Sequence, residues 1–157
     1  MSSYYKKKAR YAKYLYDRGL PFIKVYATCK VDDEFLVLEK TIDGKTTYHL
    51  AGGGVDRGES LKKAIKRELK EELNVKVEVI KELGVYDKLY VTWEYEGEKF
   101  DIQYEIHVFE TKFVKNIKHR FGLKGEFDSK IKISKIDKQT MLENVDEFKI
   151  FKIPYND

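Results

Sequence analysis

The sequence predicts an α+β fold, in which helices pack on a mixed β-sheet and a basic helix lies at the N-terminus. Two observations support this prediction. Many short β-rich segments flank one strongly helical stretch, residues 60–73, and a glycine triplet connects that stretch to the segment before it. The chain has 157 residues, a usual size for one domain. We therefore expect a single domain over residues 1–157.

The first 20 residues are predicted to form an amphipathic helix. Apolar or aromatic residues recur between positions 4 and 16 at spacings of three and four, and Gly19 to Pro21 end the pattern. Residues 1–18 hold six cationic side chains and one acid, whereas the whole chain has a net charge of +4. Such a basic helix suits a polyanionic partner such as RNA. Alternatively, its tyrosines pack on the domain or on a second subunit of a homodimer.

β-rich segments separated by turn signals occupy most of the remaining chain. They cover residues 22–29, 34–39, 75–85, 89–95, 99–113, 130–136 and 148–153. Asp43-Gly44 and Glu96-Gly97 mark turns between them. The order of several strands, one central helix and further strands predicts a sandwich built on a mixed sheet.

Composition excludes several classes of protein. With 37% charged and 42% hydrophobic residues, the chain has the composition of a soluble globular protein. No apolar run approaches the roughly 18 residues that span a bilayer, and no apolar targeting segment follows Met1, so we expect a cytoplasmic protein without membrane contact. Cys29 is the only cysteine. An intramolecular disulfide and a thiolate zinc site are therefore excluded, and Cys29 is expected to be buried.

The helix predicted over residues 60–73 carries three acids in an unusual position. Its apolar side chains form a stripe that faces the core, while its lysines point away. Glu68 and Glu72 project from the middle of that stripe, and Glu71 lies beside it. Burying carboxylates without a compensating charge is unfavourable by several kcal/mol, and like charges four residues apart repel each other. A divalent cation among the three acids resolves this conflict.

Oxygen ligands without His or Cys suit a hard cation. Mg²⁺ fits best, because it binds a few carboxylates and shares its remaining positions with substrate phosphates, and Mn²⁺ is a substitute. The alternative is a solvated acidic patch at the end of the helix, although Glu at a helix C-terminus opposes the helix dipole. The spacing favours the metal site.

The same residues resemble the signature of the Nudix hydrolase family, G-x5-E-x7-R-E-U-x-E-E-x-G-U, in which U is a bulky aliphatic residue. The matching residues are Gly53, Glu59, Arg67, Glu68, Leu69, Glu71, Glu72 and Val75. The one departure is Asn74 in place of the last glycine, and Asn tolerates the left-handed conformation expected after a helix. The resemblance covers residues 53–75 directly and implies a Nudix-like α/β/α sandwich.

The resemblance implies a ligand set for the metal. Glu68, Glu71 and Glu72 would bind the cation, and the carbonyl oxygen of Gly52 or Gly53 would be a further ligand. The reaction implied is attack of water on a phosphorus atom of a diphosphate, assisted by the metal.

The resemblance also implies supporting roles. Arg67 would orient one carboxylate, Glu68 in our interpretation, by a charge-assisted hydrogen bond; a surface cation without a role is the alternative. Glu59 would steady the loop before the helix. Gly53 and Gly54 would let the backbone pass close to the substrate's diphosphate, where a side chain would collide with it.

The general base is implied to be either a glutamate of the helix or a carboxylate from a later strand or loop. Glu105, Glu126 and Asp128 are candidates. We favour Glu126, which follows a glycine-containing loop and precedes the segment 130–136; an ordinary exposed acid is the alternative.

Aromatic and basic residues later in the chain suggest contacts with the substrate. Trp93 and Tyr90 offer faces on which a nucleobase stacks, although packing in the core explains them equally well. Basic side chains over residues 115–124 form either a lid over phosphates or a solvated loop.

These features together predict a Mg²⁺-dependent hydrolase that cleaves a nucleoside diphosphate linked to another group: a phosphate, a sugar, a second nucleotide or an RNA 5′ end. The alternative is a Nudix-fold module that binds a nucleotide or RNA without cleaving it. All acids of the signature are present, which favours the enzyme.

Overall fold

The computed structural model describes residues 3–117 and 131–155, which form a mixed β-sheet with helices on both faces. The helices are α1 (Ser3–Asp17), α2 (Leu61–Leu73), α3 (Lys138–Asn144) and α4 (Asp146–Phe151). The strands are β1 (Phe22–Val31), β2 (Glu34–Ile42), β3 (Lys45–His49), β4 (Ala51–Gly54), β5 (Val75–Tyr95), β6 (Glu98–Asn116) and β7 (Ile131–Asp137). None of the helices in these two ranges is long and apolar enough to cross a membrane.

Strand β1 lies at the centre of the sheet. It runs parallel to β6 and antiparallel to β2 and β4, while β5 pairs with β6, and β3 and β7 pair with β2. The glycine triplet forms most of β4, with Gly52 opposite Tyr26 and Gly54 opposite Lys24. Because β4 is joined to the sheet only through β1 among the described strands, the glycines lie at an edge of the sheet.

Two apolar clusters cover the two faces of the sheet, which confirms the predicted sandwich. One cluster joins α2 to the alternate β1 residues Val25, Ala27 and Cys29. The other joins α1, α3 and α4 to the opposite face of β1 and to β6. Cys29 is fully buried as predicted, and burial raises the pKa of its thiol to about 12.

The predicted helix over residues 60–73 is confirmed, and so is the N-terminal helix. Residues 75–85 and 89–95, predicted as two strands, form the single strand β5, whose pairing with β6 is interrupted by several register shifts.

The strand predicted over residues 148–153 is wrong, because most of this segment belongs to helix α4. Phe148 is 6% exposed and Ile150 is 66% exposed. Residues two apart share a face in a strand but not in a helix. Asp146 and Glu147 also lie in the first turn of α4, where acids favour the helix dipole.

Candidate active site

Local capping interactions fix both ends of α2. At its start, the hydroxyl of Ser60 accepts a hydrogen bond from the Lys63 amide at 3.2 Å. At its end, Asn74 adopts the left-handed conformation, with φ 58° and ψ 41°, and its amide donates to the carbonyl of Lys70. The left-handed conformation predicted for Asn74 is therefore confirmed. Because both ends of α2 are capped, its acids lie at defined positions.

Arg67 connects α2 to the loop before it and to β4. Its Nε and Nη2 donate to the two carboxylate oxygens of Glu59 at 2.8 and 2.9 Å. Nη1 donates to Oε1 of Glu68 at 2.9 Å, and Nη2 also donates to the carbonyl of Gly54 at 2.9 Å. The hydrogen bonds to Glu59, followed by the charge of Glu68, raise the pKa of the guanidinium. Arg67 therefore stays charged and joins three segments of the chain.

Glu68 is fully buried and lies against the glycine strand. A Cβ atom at position 53 would lie 2.5 Å from Oε1 of Glu68, so a larger residue there would displace this carboxylate. One turn further along α2, Oε1 of Glu72 accepts a hydrogen bond from the Gly52 amide at 2.8 Å. Two acids of the helix are thus directed at the backbone of consecutive glycines.

Glu71 is the third acid of the group and lies on the outer side of Arg67. Its Oε1 is 3.5 Å from Nη1 of Arg67, and its side chain is partly exposed. Glu68, Glu71 and Glu72 offer carboxylate oxygens, the type of ligand that hard divalent cations prefer. The space that glycine leaves at position 53 is filled by the carboxylate of Glu68, which therefore lies directly against the backbone.

The three acids do not yet converge on a common point. Within residues 3–117 and 131–155, no three His, Cys, Asp or Glu side chains come close enough together to enclose a metal ion. Arg67 draws Glu68 and Glu71 towards itself, and the Gly52 amide draws Glu72. A metal at these residues therefore requires their carboxylates to exchange hydrogen-bond partners for the cation.

Tyr26, which the sequence does not indicate as a site residue, lies opposite Gly52 in the sheet. Burial raises the pKa of its phenol, and the nearby charges of Glu147, Glu72 and Glu68 raise it further. The phenol therefore stays protonated at neutral pH and keeps a hydrogen-bond donor near the acids. The strand alternation from Phe22 to Tyr26 placed Tyr26 on one face of β1, but only the pairing with β4 brings it to the site.

A cavity of about 790 Å³ opens beside Arg67 and Glu71. Helix α1 forms one wall, the segment that follows β4 forms another, and α2 contributes the third. Its lining includes Lys7, Lys8, Arg10, Tyr11 and Tyr14 of α1, Arg57, and Arg67 and Glu71 of α2. The sequence predicted each of these helices but gave no signal that α1 lies next to the acids of α2.

The structure does not bring Trp93 or Tyr90 into this cavity. Trp93 stacks between Tyr5 and Phe22, with ring centroids 5.3 and 5.9 Å apart, and its indole N–H donates to the Tyr104 hydroxyl at 2.8 Å. Tyr90 lies on β5 and is 63% exposed. Trp93 therefore contributes to the packing of α1 on the sheet.

Of the three candidates for the general base, the structure describes Glu105. Oε2 of Glu105, on β6, lies 2.8 Å from Nε2 of His107, and Nδ1 of His107 lies 3.1 Å from Oε2 of Glu82. Glu126 and Asp128 lie outside the described residues, as does most of the basic stretch, residues 118–124.

Comparisons with known proteins agree on one family. The model of the NUDIX domain matches residues 23–143. Among solved structures, the chain is similar to a NUDIX hydrolase from Nitrosomonas europaea, with 21% identity and a TM-score of 0.56 over 79% of this chain and 77% of that one. It is similar to a MutT NUDIX hydrolase from Burkholderia pseudomallei, with 19% identity and a TM-score of 0.52 over 80% and 86% of the two chains.

A third solved structure, a UDP-X diphosphatase, is 20% identical, with a TM-score of 0.55 over 91% of this chain and 64% of that one. No curated protein matches the sequence. At these identities the solved structures establish only the fold. The family is established by the NUDIX domain match, which covers most of the chain.

Proposed function

The chain belongs to the Nudix family, and from this premise we propose that it is a metal-dependent hydrolase that cleaves a diphosphate bond in a nucleoside diphosphate linked to another group. The observation that carries the proposal is the fully buried carboxylate of Glu68, which Arg67 holds beside the glycine strand. A buried carboxylate with two further acids on the next turn is unfavourable for packing alone. A role in binding a metal for the hydrolysis of a diphosphate explains why the Glu68 carboxylate lies there.

We assign the metal to Glu68, Glu71 and Glu72, with the carbonyl oxygen of Gly52 as a further ligand. Mg²⁺ is the cation we expect, and Mn²⁺ is a substitute, because both accept oxygen ligands. When bound, such a cation neutralises charge that develops on the phosphate oxygens and lowers the pKa of the attacking water. The protein's own part is to hold the acids on a capped helix that faces the glycine strand.

Arg67 and Glu59 act as positioning residues. Glu59 accepts two hydrogen bonds from Arg67 and one from the Asp56 amide at 3.0 Å, so it ties the loop to the helix. Gly53 and Gly54 provide a strip of backbone without side chains along which a diphosphate can lie close to the acids.

We propose Glu126 as the general base that takes the proton of the attacking water. Its support is its place in the sequence, after Gly122 and Gly125 and before β7. Glu105 is the alternative, and its contact with His107 would hold its carboxylate in one orientation.

The proposed substrate is a nucleotide whose second group is a phosphate, a sugar, a second nucleotide or an RNA 5′ end. Of the two aromatic candidates, Tyr90 is the one we propose for stacking on the base, because its ring is exposed whereas Trp93 stacks on Tyr5 and Phe22. We further propose that the protein acts in the cytoplasm as a single domain. Recognition of RNA by the basic helix and formation of a homodimer are further predictions.

Phosphorus NMR tests the reaction directly. The protein is incubated with Mg²⁺ or Mn²⁺ and, in separate samples, with a nucleoside triphosphate, a dinucleoside polyphosphate, a nucleotide sugar and a 5′-triphosphate RNA. We expect new phosphate signals from at least one sample and none when EDTA replaces the metal. Binding of a nucleotide without any new phosphorus signal would support the non-catalytic module instead.

A further inference from the structure

We infer that α1 builds a phosphate-binding wall on the active-site cavity, so that the substrate is a small nucleotide with a phosphate beyond the diphosphate that is cleaved. This inference rests on the proposed function, because it assumes that the diphosphate lies beside the acids of α2. It adds a specificity element that the family match does not include, since that match begins at residue 23 and α1 ends at Asp17.

Helix α1 has two different aromatic faces. One face packs on the sheet: Tyr5 stacks on Trp93, Tyr16 contacts Phe100 with ring centroids 5.0 Å apart, and Ala12 is fully buried between them along the helix. The other face lines the cavity and carries the residues at spacings of three and four, namely Tyr4, Lys7, Lys8, Tyr11 and Tyr14. Packing of the first face therefore fixes the direction of the second face.

Lys8 reaches the glycine strand on the side opposite the acids. A Cβ atom at position 54 would lie 3.4 Å from Nζ of Lys8, whereas a Cβ atom at position 53 would meet Glu68. Successive residues of a strand point to opposite faces, and their Cα atoms are about 3.8 Å apart. Lys8 and Glu68 thus flank the same short strip of backbone, with no side chain of Gly53 or Gly54 between them.

The cavity is lined by more cations than acids, and its two acids, Asp56 and Glu71, both lie 3.5 Å from Arg67. Among the described residues, Lys7, Lys8, Arg10 and Arg57 all line the cavity and none forms a salt bridge. By contrast, Lys13 lies outside the cavity lining and is paired with Asp17 at 2.8 Å and with Glu98 at 3.0 Å. Unpaired cations around a concave surface attract anions.

The size of the cavity favours a small ligand. Its volume of about 790 Å³ falls within the range of roughly 300 to 1,000 Å³ that is usual for small-molecule sites. The hydroxyls of a neutral sugar accept only neutral-acceptor hydrogen bonds from ammonium and guanidinium groups, whereas an additional phosphate also brings negative charge and accepts stronger, charge-assisted ones. The rings of Tyr11 and Tyr14 complete a wall on which the nucleoside can lie.

Calorimetric titration with inorganic diphosphate and inorganic triphosphate in the presence of EDTA tests the wall without any turnover. We expect the native protein to bind triphosphate more tightly than diphosphate. Lys8→Ala should weaken triphosphate binding by about tenfold or more, and Lys8→Arg should retain most of it. The matched control is Lys6→Ala, which removes the same charge from an exposed position of α1 outside this cavity. Equal weakening by Lys6→Ala and Lys8→Ala would overturn the inference.

Kinetics with Mn²⁺ identify the substrate class. Lys8→Ala should raise KM for ATP by about tenfold and change KM for ADP-ribose, which has no phosphate beyond its diphosphate, by less than about twofold. An equal effect on both substrates would overturn the inference while leaving the proposed hydrolase intact. A higher kcat/KM for a 5′-triphosphate RNA than for ATP would overturn the assignment to a small nucleotide. Lys8-dependent triphosphate binding without turnover of any substrate would support the wall and refute the proposed function.

Discussion

Helices α1 and α2 flank the same glycine strand but present opposite charges to it. On the α2 side, acids face the strand, and Arg67 compensates two of them within 3.5 Å. On the α1 side, Lys8 lies beside Gly54, and the cations around it have no acidic partners among the described residues. The proposed substrate would meet both surroundings, with its diphosphate beside the metal-binding acids of α2 and its additional phosphate beside the cations of α1.

The two helices are also held in place by different interactions. Charged hydrogen bonds connect α2 to β4 through Arg67, so the position of each acid depends on its neighbours. Stacked rings connect α1 to the sheet, as in the contact of Tyr5 with Trp93. Substitution of Arg67 should therefore affect both stability and the position of the acids, whereas substitutions in the buried face of α1 should affect stability and leave the acids in place.

The largest expected effect belongs to Glu72→Gln. The amide oxygen of Gln can still accept the hydrogen bond of the Gly52 amide, so the fold should remain, but the negative charge offered to the metal is lost. We expect kcat to fall about 1,000-fold or more, which corresponds to several kcal/mol of lost transition-state stabilisation. Steady-state kinetics and circular dichroism measure the two properties. Lys66→Gln, on the exposed side of α2, is the control, and native rates in Glu72→Gln would refute the assignment of Glu72.

Arg67→Met should have the largest effect on stability. It leaves the buried Glu68 without its cation, and removing one partner of a buried ion pair typically destabilises by about 3 kcal/mol or more. Urea unfolding measures the change. Arg57→Met is the matched control and should change the free energy of unfolding by less than about 0.5 kcal/mol, because Arg57 forms no salt bridge among the described residues. Equal effects of the two substitutions would show that Arg67 does not stabilise Glu68.

Ala12→Leu tests whether α1 is independent of the acids. Ala12 is fully buried where α1 packs on the sheet, and added methylene groups in a packed core destabilise by about 1 to 3 kcal/mol. We expect a lower free energy of unfolding and weaker binding of inorganic triphosphate, with kcat for ADP-ribose within about twofold of native. Lys6→Leu adds the same side chain at an exposed position as a control. A large loss of kcat in Ala12→Leu alone would show that α1 also positions the acids.

The sequence predicts which face of α2 is buried but not which face of α1 lines the cavity, because α2 depends on local contacts and α1 on distant ones. Residues close in sequence define α2: Ser60 caps its start, Asn74 ends it, and the buried position of Glu68 follows from the helical period. The faces of α1 depend on distant residues, because Tyr5 and Tyr16 are directed inwards by Trp93 and Phe100. The helix itself was therefore predictable, but its aromatic residues gave no indication of which of them line the cavity.

Helix α4 is a second element whose conformation the local sequence does not predict. The aromatic and aliphatic residues over residues 148–153 predict a strand, yet the segment is mostly helical. A long-range contact accompanies the helical conformation: Oε1 of Glu147 accepts a hydrogen bond from the Leu50 amide at 2.7 Å. Leu50 directly precedes β4, so this contact also anchors the start of the glycine strand from the α1 side of the sheet.

The smallest expected effect is a pH dependence of that anchor. The carboxylate of Glu147, 3.6 Å from Nδ1 of His49, raises the pKa of His49, although burial opposes the shift. Because the folded-state pKa is raised, the stabilisation is complete below the usual histidine pKa of about 6.5 and is lost as the pH rises through the folded value. Between pH 6 and 8 the native protein should therefore lose up to about 1 kcal/mol of unfolding free energy relative to His49→Gln, as measured by urea unfolding at each pH. Parallel pH profiles for the two proteins would show that the contact of His49 with Glu147 contributes nothing to stability between pH 6 and 8.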